Sequence, residues 1–143
     1  MTVNCIRNLF ICLLFLIFAN SVYAASTHYQ EGKKLFELKK YKESKIKFEK
    51  DIVFNPKNEK SYLYLAKIFN KEKKIEQEEN NLKTVILLNP KNEEALYLFA
   101  LLNIKKSNFS KAKELIGMFQ DVCNKLCSSK KELLKELEIS SNL

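Results

Sequence analysis

Asn55-Pro56-Lys57-Asn58-Glu59 recurs without change as Asn89-Pro90-Lys91-Asn92-Glu93, so that position 55 returns at 89 and position 59 at 93. Five identical residues at an interval of this size predict stacked helical hairpins and not one globular core. The residues between the two copies agree. Tyr62, Leu65, Ala66 and Phe69 fall on one helical face, and after the polar stretch 70–74 so do Ile75, Leu82, Val85, Ile86 and Leu88. A residue that precedes proline avoids the helical region, so the second helix stops at the Asn-Pro step. Asn92 then offers an N-cap, and Glu93 and Glu94 place acids in the first turn of the next helix. Each repeated unit therefore reads helix, short turn, helix, stop.

Composition points the same way. The 143 residues include only 2 Gly and 2 Pro, whereas a β-sandwich or barrel spends both at its many corners, so an all-α chain is expected. There is 1 His and no glycine-rich phosphate loop, which leaves little from which to assemble a catalytic, metal or cofactor site. No catalytic residue, metal ligand or cofactor is expected, and His28 reads as a surface residue near the terminus.

On these slots the sequence resembles the tetratricopeptide repeat (TPR) family. The unit 59–92 carries Tyr62, Leu65, Ala66, Phe69, Ile75, Leu82, Val85 and Pro90 in the family's pattern. The unit 25–58 supplies Gly32, Leu35, Tyr41, Phe48 and Pro56, and 93–126 supplies Leu96, Phe99, Ala100, Phe109, Ala112 and Ile116, with Asn124 in place of the closing proline. The resemblance implies a right-handed α-α superhelix of about three hairpins whose first helices line a concave groove for a peptide segment or helix of a partner protein. That groove would be lined by Tyr29, Lys33, Phe36, Leu63, Lys67, Asn70, Lys71, Tyr97, Leu101, Ile104 and Lys105. Apolar anchors among lysines suit a partner with hydrophobic and acidic residues. The same residues also read as core plus a solvated face. One subgroup of the family clamps carboxylates with paired lysines and asparagines, but Lys67 and Asn70 lack that spacing, and the activity is not carried over.

Three acids depart from the pattern: Glu78 stands where a small residue lets the paired helices approach, and Asp51 and Glu31 stand where apolar residues pack. A buried unpaired carboxylate is expensive, so these side chains are expected to turn outward or meet a lysine. Residues 127–143 read as one amphipathic helix, with a capping box Ser129-x-x-Glu132 ahead of Leu133, Leu134, Leu137 and Ile139, that closes the open end of the stack. No equivalent precedes the first unit, and the edge at Tyr29, Leu35 and Phe36 is a candidate protein contact or homodimer surface.

Residues 1–24 are expected to be a cleaved secretory signal: Arg7, the apolar run Leu9 to Ala19, and Val22-Tyr23-Ala24 before the cut. The run is short for a bilayer span, which needs roughly 20 apolar residues, although an uncleaved anchor in the inner membrane is the alternative. No cysteine follows the cut to carry a lipid. Export would place the mature chain in the periplasm or outside the cell, with no stable membrane span after cleavage. There Cys123 and Cys127 are a structural disulfide or two idle thiols. The formal charge of +8 rests almost wholly on lysine, since Arg7 is the only arginine. Lysines scattered among 17 acids describe a solvated repeat surface better than a nucleic-acid or anionic-membrane site. A protein partner is therefore expected, with lysine-driven anion binding or self-association as the alternatives.

Overall fold

The computed structural model of the chain describes residues 27–142, so the expected signal segment lies outside it. All regular structure among the described residues is helical. Helix α1 covers 27–37. It is followed by α2 (Tyr41–Phe54), α3 (Glu59–Lys71), α4 (Ile75–Leu88), α5 (Glu93–Lys105), α6 (Phe109–Val122), a 3-10 turn (Cys127–Ser129) and α7 (Lys130–Ser141). The described residues divide into two compact units, one ending at Ser61 and the other beginning at Tyr62.

The period of the sequence reappears in the backbone. Among the described residues Lys39, Lys73 and Ser107, each one repeat on from the last, are the non-glycine residues with positive φ, at 60°, 56° and 57°. Each sits in the reversal inside a hairpin. Its N–H closes onto the carbonyl of Phe36, Asn70 or Ile104, and the next N–H onto that of Leu35, Phe69 or Asn103. These bonds satisfy the orphan carbonyls of the first helix and hold a conformation that costs a non-glycine residue roughly 1–2 kcal/mol.

Helix packing within each hairpin follows a rule of complementary volumes. In the first unit Gly32 meets Phe48, whose ring is fully buried and would lie 2.9–3.1 Å from any Cβ added at 32. One and two periods later the same two positions hold Ala66 with Leu82 and Ala100 with Ile116, all buried. Where the large partner is Phe the small partner has to be Gly; where it is Leu or Ile an alanine fits. Ser44, buried one turn before Phe48, donates its hydroxyl to the carbonyl of Gly32 at 2.8 Å and ties α2 to α1.

Two of the three out-of-pattern acids correct the expectation from sequence. Glu31 does find a lysine, Lys47. Asp51 and Glu78, however, point inward and are paired with neutral groups. Asp51 is fully buried, and its Oδ2 accepts from Ser61 Oγ (2.5 Å) and Asn58 Nδ2 (2.6 Å). Glu78 is 4% exposed and accepts from Asn70 Nδ2 at 2.9 Å. At Asp51 hydroxyl and amide donors thus converge on one buried oxygen, while Oδ1 is buried with no hydrogen-bond partner.

In the second unit Asn92 caps α5, its side chain accepting the N–H of Ala95 at 3.0 Å. Helix α7 packs Leu133 and Leu137 into the core that contains Phe99, Ile116 and Phe119, while Leu134 and Ile139 stay exposed. The expected capping box does not form. Ser129 is helical (φ −72°, ψ −7°), makes no side-chain cap bond and belongs to the 3-10 turn, which itself leads the chain into α7. The link from α6 to α7 is secured otherwise. Cys123 and Cys127 form a disulfide across a turn that begins where α6 ends, and between them Asn124, Lys125 and Leu126 donate their N–H groups to Glu93 Oε2 at 2.7, 3.1 and 3.2 Å. Those bonds, the one from Asn124 foremost, hold the Glu93 carboxyl below the usual glutamate range.

Candidate protein-binding face

A concavity of about 390 Å³ lies in the second unit. Its floor is α5, which contributes Leu98, Leu101, Leu102, Ile104 and Lys105. Asn70 from the end of α3 and Glu78 from α4 form one side, and Glu136 and Ser140 from α7 form the other. Leu98 and Leu101 are half-buried and present apolar surface, whereas Leu102 and Ile104 are held in the core. Its lining is divided about evenly between apolar and polar side chains, so it offers an apolar anchor and several polar groups to one ligand.

Electrostatics at the recess are mixed. Burial pushes the Glu78 carboxyl above the usual glutamate range, opposed by the amide of Asn70 and the charge of Lys105. Glu136 adds a second carboxylate on the α7 side, and Lys105 is the one cation in the lining. Among the described residues no group of three or more His, Cys, Asp or Glu side chains is placed to hold a metal ion.

The residues expected from sequence to line a groove fall into several environments. Asn70, Leu101, Ile104 and Lys105 come together at the cavity, Ile104 with only 4% of its surface exposed. Leu63 is buried in the core. Lys67 is drawn to Glu94 at 2.5 Å and lies over the ring of Tyr64, 4.9 Å from its centroid. Tyr97 packs on Phe119 and donates its hydroxyl to Glu132 at 3.0 Å, so it fastens α7 to α5; burial and that bond raise its pKa. Lys71 is exposed at the end of α3. In the first unit Tyr29 leans on Phe48, Phe36 meets the edge of Tyr41, and Lys33 lies 3.9 Å from Glu37. His28 is partly buried, its ring 5.8 Å from that of Phe54.

Reasoning from sequence missed Glu78, Leu98, Leu102, Glu136 and Ser140. Glu78 carried a signal, because it broke the pattern at a close-approach position. Glu136 and Ser140 were hidden by reading 127–143 as a lid: the face of α7 beside Leu133 and Leu137 continues the wall that α3 and α5 begin.

With the geometry in place, solved structures give the fold its relatives. The chain is similar to the TPR domain of Arabidopsis OM64 (TM-score 0.74, 17% identity, covering 83% of this chain and 98% of that one). It is similar to the TPR2B domain of yeast Sti1, solved as a complex with pHsp70 (TM-score 0.72, 18% identity, 83% and 97% covered). A third is the second TPR domain of human RPAP3 in complex with the HSP70 peptide SGPTIEEVD (TM-score 0.69, 18% identity, 85% and 98% covered). No family model and no curated protein matches the sequence. At these identities the likeness shows the fold, an all-α superhelical repeat of TPR type.

Proposed function

We propose that the chain is an exported, non-enzymatic interaction module that holds a peptide segment of a partner protein against α5, between the end of α3 and α7. The observation that carries this reading is the recess itself: half-buried leucines on α5 with polar groups from three helices around them. Such a surface is shaped to desolvate an apolar anchor while fixing its orientation. Two of the similar structures, those of yeast Sti1 and human RPAP3, are complexes with pHsp70 and with an HSP70 peptide, which supports reading the fold as a peptide holder.

Charge refines the reading. Seven lysines (33, 47, 67, 74, 83, 106 and 111) lie within ion-pair distance of glutamates, Lys33 and Lys67 of the expected groove among them. Lys33 and Lys67 are thus engaged by glutamates of this chain and offer an acidic partner less than their positions in the sequence suggest. Export rests on the segment 1–24, and mass spectrometry of the protein recovered from its host tests it: an N-terminus at Ala25 is expected, and retention of Met1 would oppose it.

Selection from a displayed random-peptide library tests the binding role. The purified chain is expected to retain a related set of peptides that Leu101→Ser, with helical content preserved, no longer retains. Retention unaffected by that change would place binding elsewhere. A self-associating role has one observation in its favour: Val53 and Leu87, at equivalent positions one period apart, are 75% and 81% exposed. Sedimentation separates the two, since self-association requires a dimer without any peptide present.

A further inference from the structure

The recess in the second unit sets charged groups beside apolar surface. Glu78 is almost wholly buried and lines the cavity, with one carboxylate oxygen engaged by the amide of Asn70. Glu136 stands on the α7 wall of the same cavity, and Lys105 is the single cation in the lining. Two carboxylates against one ammonium leave the recess acidic, in a chain whose overall charge is +8. A carboxylate brought there by a ligand would be repelled by both glutamates. A purely apolar side chain would strip water from the exposed Glu136 and offer the carboxyl of Glu78 no partner in return. A lysine or arginine side chain satisfies both demands, because its methylene stem packs along Leu98 and Leu101 while its charged end replaces the water around the carboxylates.

We infer that the recess formed by Glu78, Leu98, Leu101 and Glu136 is a specificity pocket for a basic side chain, lysine or arginine, of the bound peptide. This rests on the peptide-holding role proposed above and names the residue class that the role selects. It also reverses the polarity that the lysines of the sequence suggest: Lys67 is matched by Glu94, and at this recess a partner meets two carboxylates, Glu78 and Glu136, against one ammonium, Lys105.

The test uses peptides selected on the full chain, resynthesised with acetylated and amidated ends. Selected peptides are expected to share a lysine or arginine next to an apolar residue. Replacing that lysine with norleucine, which keeps the stem and removes the charge, is expected to weaken binding about tenfold or more, and glutamate at the same place to abolish it. On the variant Glu78→Gln with Glu136→Gln the lysine and norleucine peptides are expected to bind within about twofold of each other. Glu78→Gln keeps an acceptor for Asn70, and if the double variant fails to fold, Glu136→Gln alone is expected to narrow the lysine preference. Peptides that lack a basic residue, or favour Asp and Glu, yet are lost on Leu101→Ser, would overturn the pocket assignment and leave the binding role standing. No selected peptide, or peptides indifferent to Leu101→Ser, would overturn both.

Discussion

The two copies of Asn-Pro-Lys-Asn-Glu are identical in sequence and differ in what they are packed against. At the first junction Asn58 uses its amide to donate to the buried Asp51, and Ser61 joins it. At the second junction the positions one period later are Val85 and Ala95, both buried, and Asn92 uses its side-chain oxygen to accept the N–H of Ala95. Backbone geometry is shared: Asn55 and Asn89 each close onto the carbonyl four residues earlier, at 2.7 and 2.8 Å, and Asn58 and Asn92 each close onto the preceding asparagine, at 3.0 and 3.1 Å. The pentapeptide therefore specifies the turn, and the residues four before and two after it decide whether the joint is polar or apolar.

The largest effect expected from breaking this comparison comes from putting the first joint's acid into the second. Val85→Asp buries a carboxylate with no hydroxyl opposite, and urea unfolding should show a loss of about 3–5 kcal/mol. Adding Ala95→Ser rebuilds the donor that serves Asp51, with Asn92 already in place, and should restore about 1–2 kcal/mol. No recovery would mean that Ser61 and Asn58 are not what makes Asp51 tolerable. Next in size is the close approach in the first hairpin. Gly32→Ala should cost about 1–3 kcal/mol, because the ring of Phe48 cannot move aside, and Phe48→Leu should remove most of that penalty by copying the Ala66 and Leu82 pair. Additive losses would refute the complementarity.

Smaller effects separate the turns and the glutamates. Lys73→Gly relieves a left-handed lysine and should raise stability by roughly 1 kcal/mol or less, with Ser107→Gly behaving alike. Smallest is the difference between the two glutamates that end the pentapeptides. Glu93 accepts three consecutive N–H groups, whereas among the described residues no backbone N–H donates to Glu59. The folded-state pKa of Glu93 is depressed, so its contribution is complete above the usual glutamate range and is lost as pH falls through the lowered value. Thermal melts should accordingly show Glu93→Gln less stable than the unchanged chain at neutral pH and converging with it in acid, with Glu59→Gln lower by less. Curves that stay parallel across pH would contradict the role of the carboxylate.

What could be read beforehand was whatever repeats. The period, the Asn92 cap, the stop before Pro90 and the small positions Gly32, Ala66 and Ala100 follow from local rules applied once in every repeat. What could not be read was tertiary pairing. Asp51 was expected to avoid the core because its donors lie seven and ten residues away, in the turn and on the next helix, and only the folded joint brings them to it. The left-handed turn residues went unmarked because lysine and serine occupy them where glycine or asparagine would have signalled the conformation. Ser129 and Glu132 have capping-box spacing, yet the disulfide-closed turn places Ser129 in helical geometry before it can cap. The recess was half legible: Asn70, Leu101, Ile104 and Lys105 follow from the repeat, while Glu136 joins them only through the docking of α7 on α5.

The central claim is that a partner peptide lies on α5 between α3 and α7, and amide spectra of the ¹⁵N-labelled chain titrated with a selected peptide test it most directly. The expected result is that the largest shifts fall at Asn70, Glu78, Leu98 to Lys105, and Glu136 to Ser140. Shifts centred instead on α6, or on the exposed ends at Val53 and Leu87, would contradict it.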